Sequence, residues 1–168
     1  YLASLIDSYY GLWGAWKDSD THGMWGVYVG KTRDEIFSED LLGGKLMTND
    51  FFHPYLTYNA RIDKGFKGIF SLKYDSLKPY TNHSQYLKDI TLLGDNDVSV
   101  SINQLDNNIT GNNGKNTVLF TGNRSEYLVK ASKNITYVTD KYLERDGANV
   151  LQKIEILMFN DETLLLNE

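Results

Sequence analysis

From about residue 55 onward the chain is a succession of short apolar runs, broken about every ten residues by glycine, asparagine and aspartate. The breaks are Asp63-Lys64-Gly65, Gly94-Asp95-Asn96-Asp97, Gly111-Asn112-Asn113-Gly114, Gly122-Asn123, Asp146-Gly147 and Asn160-Asp161. These residue types tolerate positive φ and form tight turns. Runs this short cannot be long helices, and several alternate with a period of two. Phe66, Phe70, Leu72 and Tyr74 fall on one face of their run, while Lys67, Ser71 and Lys73 fall on the other. Such alternation describes a strand buried on one side and wet on the other.

The pattern predicts roughly ten strands. No regular strand–helix–strand alternation is visible, so a parallel sheet is not expected. The predicted fold class is mostly β: one antiparallel meander that closes into a barrel or folds over as a β-sandwich, which leaves no long exposed edges. The inward set is read as Phe66, Phe70, Leu72, Val98, Val100, Ile102, Ile154, Ile156 and Met158.

Before the strands, Leu5, Ile6, Tyr9 and Leu12 or Trp13 have helical spacing. Ser4 is a candidate N-cap and Gly14 a stop, giving a short N-terminal helix. "DEIFSEDLLGG" reads as a second short helix ending at Gly43, and "MWGVYVG" as a strand with Trp25, Val27 and Val29 on one face. No repeat or interior linker is evident, so residues 1–168 are read as a single domain.

Gly11-Leu12-Trp13 and Gly14-Ala15-Trp16 place a Gly-x-Trp motif between the lead-in helix and the strands, and Thr139, Asp140 and Tyr142 follow later. This arrangement resembles the lipocalin, or calycin, family of small-molecule-binding barrels. The resemblance implies a calycin-like barrel in which the tryptophan packs across the closed end. The inserted Lys141 and the absence of a long helix after the last strand depart from the family pattern.

Composition narrows the chemistry. Net charge is −5, with scattered basic residues, so no nucleic-acid surface is expected. No apolar run reaches the roughly 18 residues needed to cross a bilayer. The absence of cysteine removes disulfides, thiol catalysis and thiolate metal sites. It fits an exported bacterial protein, and a cytosolic one nearly as well. No signal peptide is visible, and a start at Tyr1 is compatible with a removed or omitted targeting segment.

No catalytic or metal signature stands out. "DSDTHG" (Asp18–Gly23) opens like a calcium loop, but His22 and Val29 occupy positions that need oxygen ligands. His22, His53 and His83 are far apart and fall in predicted loops, so no metal is expected. The pairs Asp34-Glu35 and Glu39-Asp40 read as a solvated helix face. No Gly-x-Ser-x-Gly elbow and no phosphate loop is present.

What remains is aromatic richness: twelve tyrosines, seven phenylalanines and three tryptophans. One reading is core packing. The other is a cavity where an apolar ligand or a sugar ring stacks, since Trp and Tyr join an apolar body to a polar tip. The candidate ligand-binding residues are Trp25, Tyr55, Tyr58 and Arg61, with no cofactor. The expected function is a non-enzymatic extracellular or surface-anchored domain that binds a small apolar molecule or glycan. The alternatives are a protein-interaction module of a bacterial surface protein without a small ligand, and a hydrolase whose site is assembled in space.

Overall fold

The computed structural model describes residues 1–15, 28–50, 52 and 58–166. The chain groups into two compact units: Tyr1–Thr57 with Tyr74–Tyr86, and Tyr58–Lys73 with Leu87–Glu168.

The first unit is helical where it is described. Its elements are α1 (Leu2–Tyr9), a 3₁₀ turn (Leu12–Ala15), α2 (Arg33–Glu39), α3 (Leu41–Lys45), a π-helical turn (Leu46–Asp50) and α4 (Thr81–Ser84). The N-terminal helix begins at Leu2 rather than after Ser4, because Ser4 and Ser8 are buried on the same side as Leu5. Ser8 Oγ donates to the Gly30 carbonyl, so both polar contact and apolar packing fix that face. Leu5, Ile36 and Met47 form a small core, edged by Ile6, Tyr9, Tyr10, Tyr28, Leu46 and Phe52. Of the acidic residues read as a solvated face, Asp34 and Glu39 are exposed, while Glu35 and Asp40 have structural partners. Thr32 and Glu35 close a capping box on α2. Asp40 caps α3 through the Gly43 amide at 2.9 Å and accepts the hydroxyls of Tyr1 and Tyr28, both at 2.7 Å.

The second unit holds every described strand: β1 (Asn59–Ile62), β2 (Gly68–Ser71), β3 (Asp89–Leu92), β4 (Val98–Ser101), β5 (Asn108–Thr110), β6 (Thr117–Leu119), β7 (Tyr127–Ser132), β8 (Ile135–Asp140), β9 (Ala148–Gln152), β10 (Ile156–Met158) and β11 (Thr163–Leu165). They form two open sheets, ordered β1-β3-β5-β9-β8-β7 and β11-β10-β6-β4-β2. The pairs β1–β3, β3–β5 and β5–β9 are parallel, as are β2–β4, β4–β6 and β6–β10. Strands β1 to β6 therefore alternate between the sheets, and β9 and β10 resume the alternation after the β7–β8 pair, so the chain winds as a short parallel coil of the solenoid kind.

This overturns the predicted single antiparallel meander, whether as a calycin-like barrel or as a β-sandwich. The strands are mostly parallel and neither sheet closes. Among the described residues helix accounts for 23% and strand for 31%, which is α/β in composition rather than mostly β. Four short α-helices are described where two were expected. The physical reason lies at the bends. Asp63-Lys64-Gly65, Gly94–Asp97 and Gly111–Gly114 carry the chain from one sheet to the other instead of reversing it within one sheet. Asp146-Gly147 and Asn160-Asp161 do join antiparallel neighbours, β8 to β9 and β10 to β11.

One apolar core lies between the sheets. Ile90, Ile109 and Leu151 come in register from the first, and Phe70, Val100, Val118 and Leu157 from the second. Of the expected inward set, Leu72, Val98, Val100, Ile102, Phe70 and Ile154 are buried. Phe66 is only half-buried at the edge of this core. Ile156 and Met158 are corrections: Leu157 points inward, Ile156 is half-buried and Met158 is 41% exposed. Tyr74, expected on the buried face, is exposed and belongs to the helical unit.

Buried asparagines stabilise the bends. Backbone groups at a corner belong to neither sheet and need other partners. Asn103 Nδ2 donates to the Leu87 carbonyl at 3.0 Å, and its Oδ1 accepts from Leu105 N and Asn107 Nδ2. Asn112 Nδ2 donates to the Asn96 carbonyl at 2.9 Å, and Asn149 Nδ2 to the Asp146 carbonyl at 2.7 Å. The coils also pass closely. A Cβ at Gly111 would sit 1.8 Å from the Lys153 carbonyl oxygen, so no other residue fits there without moving the backbone.

Candidate functional site

The antiparallel pair β7–β8 leaves the winding after β6, and a polar cluster fastens it back. Asp146 is fully buried. Its Oδ2 accepts the Tyr127 hydroxyl at 2.6 Å and the Thr121 amide at 2.7 Å. Its Oδ1 accepts the Thr121 hydroxyl at 2.8 Å and faces Lys73 Nζ at 3.4 Å. Arg145 binds Asp140 through Nε and Nη2 at 2.7 and 2.6 Å, and Glu126 through Nη1 at 2.7 Å. Burial opposes ionisation of Asp140, but the Arg145 fork and the amides of Tyr142 and Asp146 outweigh it, so the carboxyl sits below its usual range. Burial and the bond to Asp146 push the Tyr127 hydroxyl well above the ordinary tyrosine range. Both oxygens of the buried Asp146 carboxylate are occupied, so it has no lone pair to offer a substrate. The cluster anchors the β7–β8 insertion.

An open site lies elsewhere on the same unit. A groove of about 760 Å³ runs between the β5–β6 bend, the β7–β8 turn and the bend after β9. Buried Leu151 and Ile154 and half-buried Leu166 supply its apolar lining. Asn134, Gln152 and Thr136 add amides and a hydroxyl. Lys115, Lys133 and Lys153 line it as exposed cations. Among the described residues none of the three has a carboxylate partner. The nearby acid, Glu155, is engaged: its Oε2 accepts from Asn116 N at 2.6 Å and from Asn116 Nδ2 at 3.3 Å.

The backbone at two of these lysines is unusual. Lys133 has φ +49° and Lys153 φ +51°, the left-handed region. A two-residue turn between β7 and β8 accounts for the conformation at 133. Glycine or asparagine would hold either bend at lower cost, so the bend alone does not account for a long cationic side chain there.

The residues named from sequence fall away from this groove. Trp25 and Tyr55 lie outside the described residues, as do Trp16, His22 and His53. Tyr58 is 45% exposed just before β1, and Arg61 is exposed on β1 in register with Thr91. Neither lines the groove, whose lining has no aromatic side chain. Trp13 is half-buried, with its indole N–H 3.4 Å from the Ser4 carbonyl. His83 sits 2.6 Å through Nδ1 from the Tyr10 carbonyl. Among the described residues no cluster of three metal-ligating side chains occurs, and no helix is long and apolar enough to cross a membrane. Sequence reasoning missed the three lysines because they lie on three different bends. The only local signal was a lysine beside each turn.

No known family model matches the chain, and no curated protein or solved structure is significantly similar to it.

Proposed function

We propose that this chain is a non-enzymatic binding domain of a secreted or surface-anchored protein, and that the β-coil groove takes an acidic glycan. The observation that carries this reading is the groove itself: three exposed lysines without carboxylate partners among the described residues, around about 760 Å³, in a chain of net charge −5. A cationic patch on an acidic background attracts anions locally while the rest of the surface repels them. The volume is within the range of small-ligand sites. Leu151, Ile154 and Leu166 suit the C–H face of a sugar ring, and Asn134 and Gln152 suit its hydroxyls.

The test is calorimetric titration with an oligogalacturonate, against a neutral malto-oligosaccharide of equal length. Binding of the acidic oligomer alone is expected, weakening with salt. Lys133→Glu and Lys153→Glu should each weaken it about tenfold, by replacing an attraction with a repulsion. Equal binding of both oligomers, or indifference to both substitutions, would refute the reading.

The interaction-module alternative has one observation in its favour. Ile69, Met158 and Leu165 stand exposed on the second sheet.

A further inference from the structure

The helical unit contains its own concavity, a cleft of about 250 Å³. Tyr74 and Tyr86 contribute rings to it, Asn82 and Gln85 contribute amides, and Lys31 and Thr32 lie at the approach to α2. Its construction is specific. The Arg33 guanidinium lies 3.8 Å over the Tyr86 ring and 3.9 Å over the Tyr9 ring, and Nε donates to the Tyr9 carbonyl at 2.7 Å. Arg33 has no carboxylate partner among the described residues, so its anchoring comes from the two rings and this carbonyl. The stack fixes Tyr86 in place as a wall.

Gly11 lets that wall approach. It has φ +70°, and a Cβ there would lie 2.1 Å from the Asn82 carbonyl oxygen and 2.7 Å from Tyr86 Cε2. Any side chain at position 11 would push α4 and Tyr86 away and reshape the cleft. The Gly11-Leu12-Trp13 motif thus has a spatial meaning: its glycine is part of the cleft lining.

We propose that this cleft is a subsite for a single pyranose ring bearing a carboxylate. The volume suits one ring rather than an oligomer, being below that of sites for drug-sized ligands. Tyrosine rings offer an apolar face and a hydroxyl, and the two amide side chains offer further polar atoms. Lys31 Nζ has no carboxylate partner among the described residues and is the group to meet the uronate carboxylate. This inference rests on the helical unit alone, and it can fail independently of the groove reading.

The test is saturation-transfer NMR and titration of the full chain with monomeric galacturonate and with galactose. Saturable galacturonate binding with a dissociation constant on the order of 1 mM is expected, tighter than galactose. Tyr74→Ala, at a side chain 58% exposed, should weaken it about tenfold without changing thermal stability. Lys31→Gln should make the two sugars bind alike. With the groove of the other unit disabled by Lys133→Glu, galacturonate should still saturate and Tyr74→Ala should still weaken it. The proposal is overturned if neither sugar saturates, if Tyr74→Ala has no effect, if Lys31→Gln keeps the preference, or if Lys133→Glu abolishes binding. That last result would place the ring in the groove.

Discussion

Truncating Leu157 tests the winding of the β-coil most directly. Leu157 is fully buried in β10, in register with Val118 of β6 and Leu164 of β11. Leu157→Ala removes three buried carbons, at about 0.8 kcal/mol each. The cavity between two packed sheets adds about 1 kcal/mol, since facing strands cannot collapse fully onto it. The expected loss is therefore about 3–4 kcal/mol. Its neighbour Met158 is 41% exposed, and Met158→Ala should cost under about 1 kcal/mol. Urea denaturation followed in the strand band of far-UV circular dichroism reads both. With a slope of about 2 kcal/mol/M, the midpoint should fall by about 1.5–2 M for Leu157→Ala and by under about 0.5 M for Met158→Ala. Dichroism is the signal to follow, because the second unit contains no tryptophan. A reversed order, with Met158→Ala the more damaging, would refute the winding. It would restore the register in which Ile156 and Met158 face the core.

Asn103 is fully buried and bonded to Leu87, Leu105 and Asn107. Asn103→Ala orphans backbone groups at a bend, and should cost about 2–4 kcal/mol in thermal denaturation; a loss under about 1 kcal/mol would mean that the asparagines only occupy the corners. The Asp140–Arg145 pair should give an acid dependence. Asp140 is depressed when folded and near 3.9 when unfolded, so its contribution is complete above about pH 4 and is lost as pH falls through the folded value. Arg145→Gln should therefore destabilise the chain most at neutral pH, and the gap to wild type in urea midpoint should shrink as pH falls below about 4; a gap constant with pH counts against the pair.

Most strand positions in the second unit were legible in the sequence, and so were most of the buried faces. Val98, Val100 and Ile102 alternate with polar residues, and a strand with one wet face leaves that mark whatever it pairs with. The phase failed at "IEILMF", where Ile154, Ile156, Leu157, Met158 and Phe159 are all apolar, and the one polar residue, Glu155, marks the face of Leu157 and Phe159 as the wet one. Burial between two sheets selects Leu157 there, and that is a property of the neighbours. Pairing was not legible at all. Gly94 and Gly111 suit a hairpin and a bend between sheets equally well, and nothing local distinguishes a chain that turns back from one that winds on. Winding places Asp89 beside Asn108 and Asn108 beside Val150, partners far apart along the chain. The groove follows from the same cause: Lys115, Lys133 and Lys153 converge because stacked bends bring them to one place. Side-chain alternation is written residue by residue, whereas which strands lie side by side depends on the summed packing of all the coils at once.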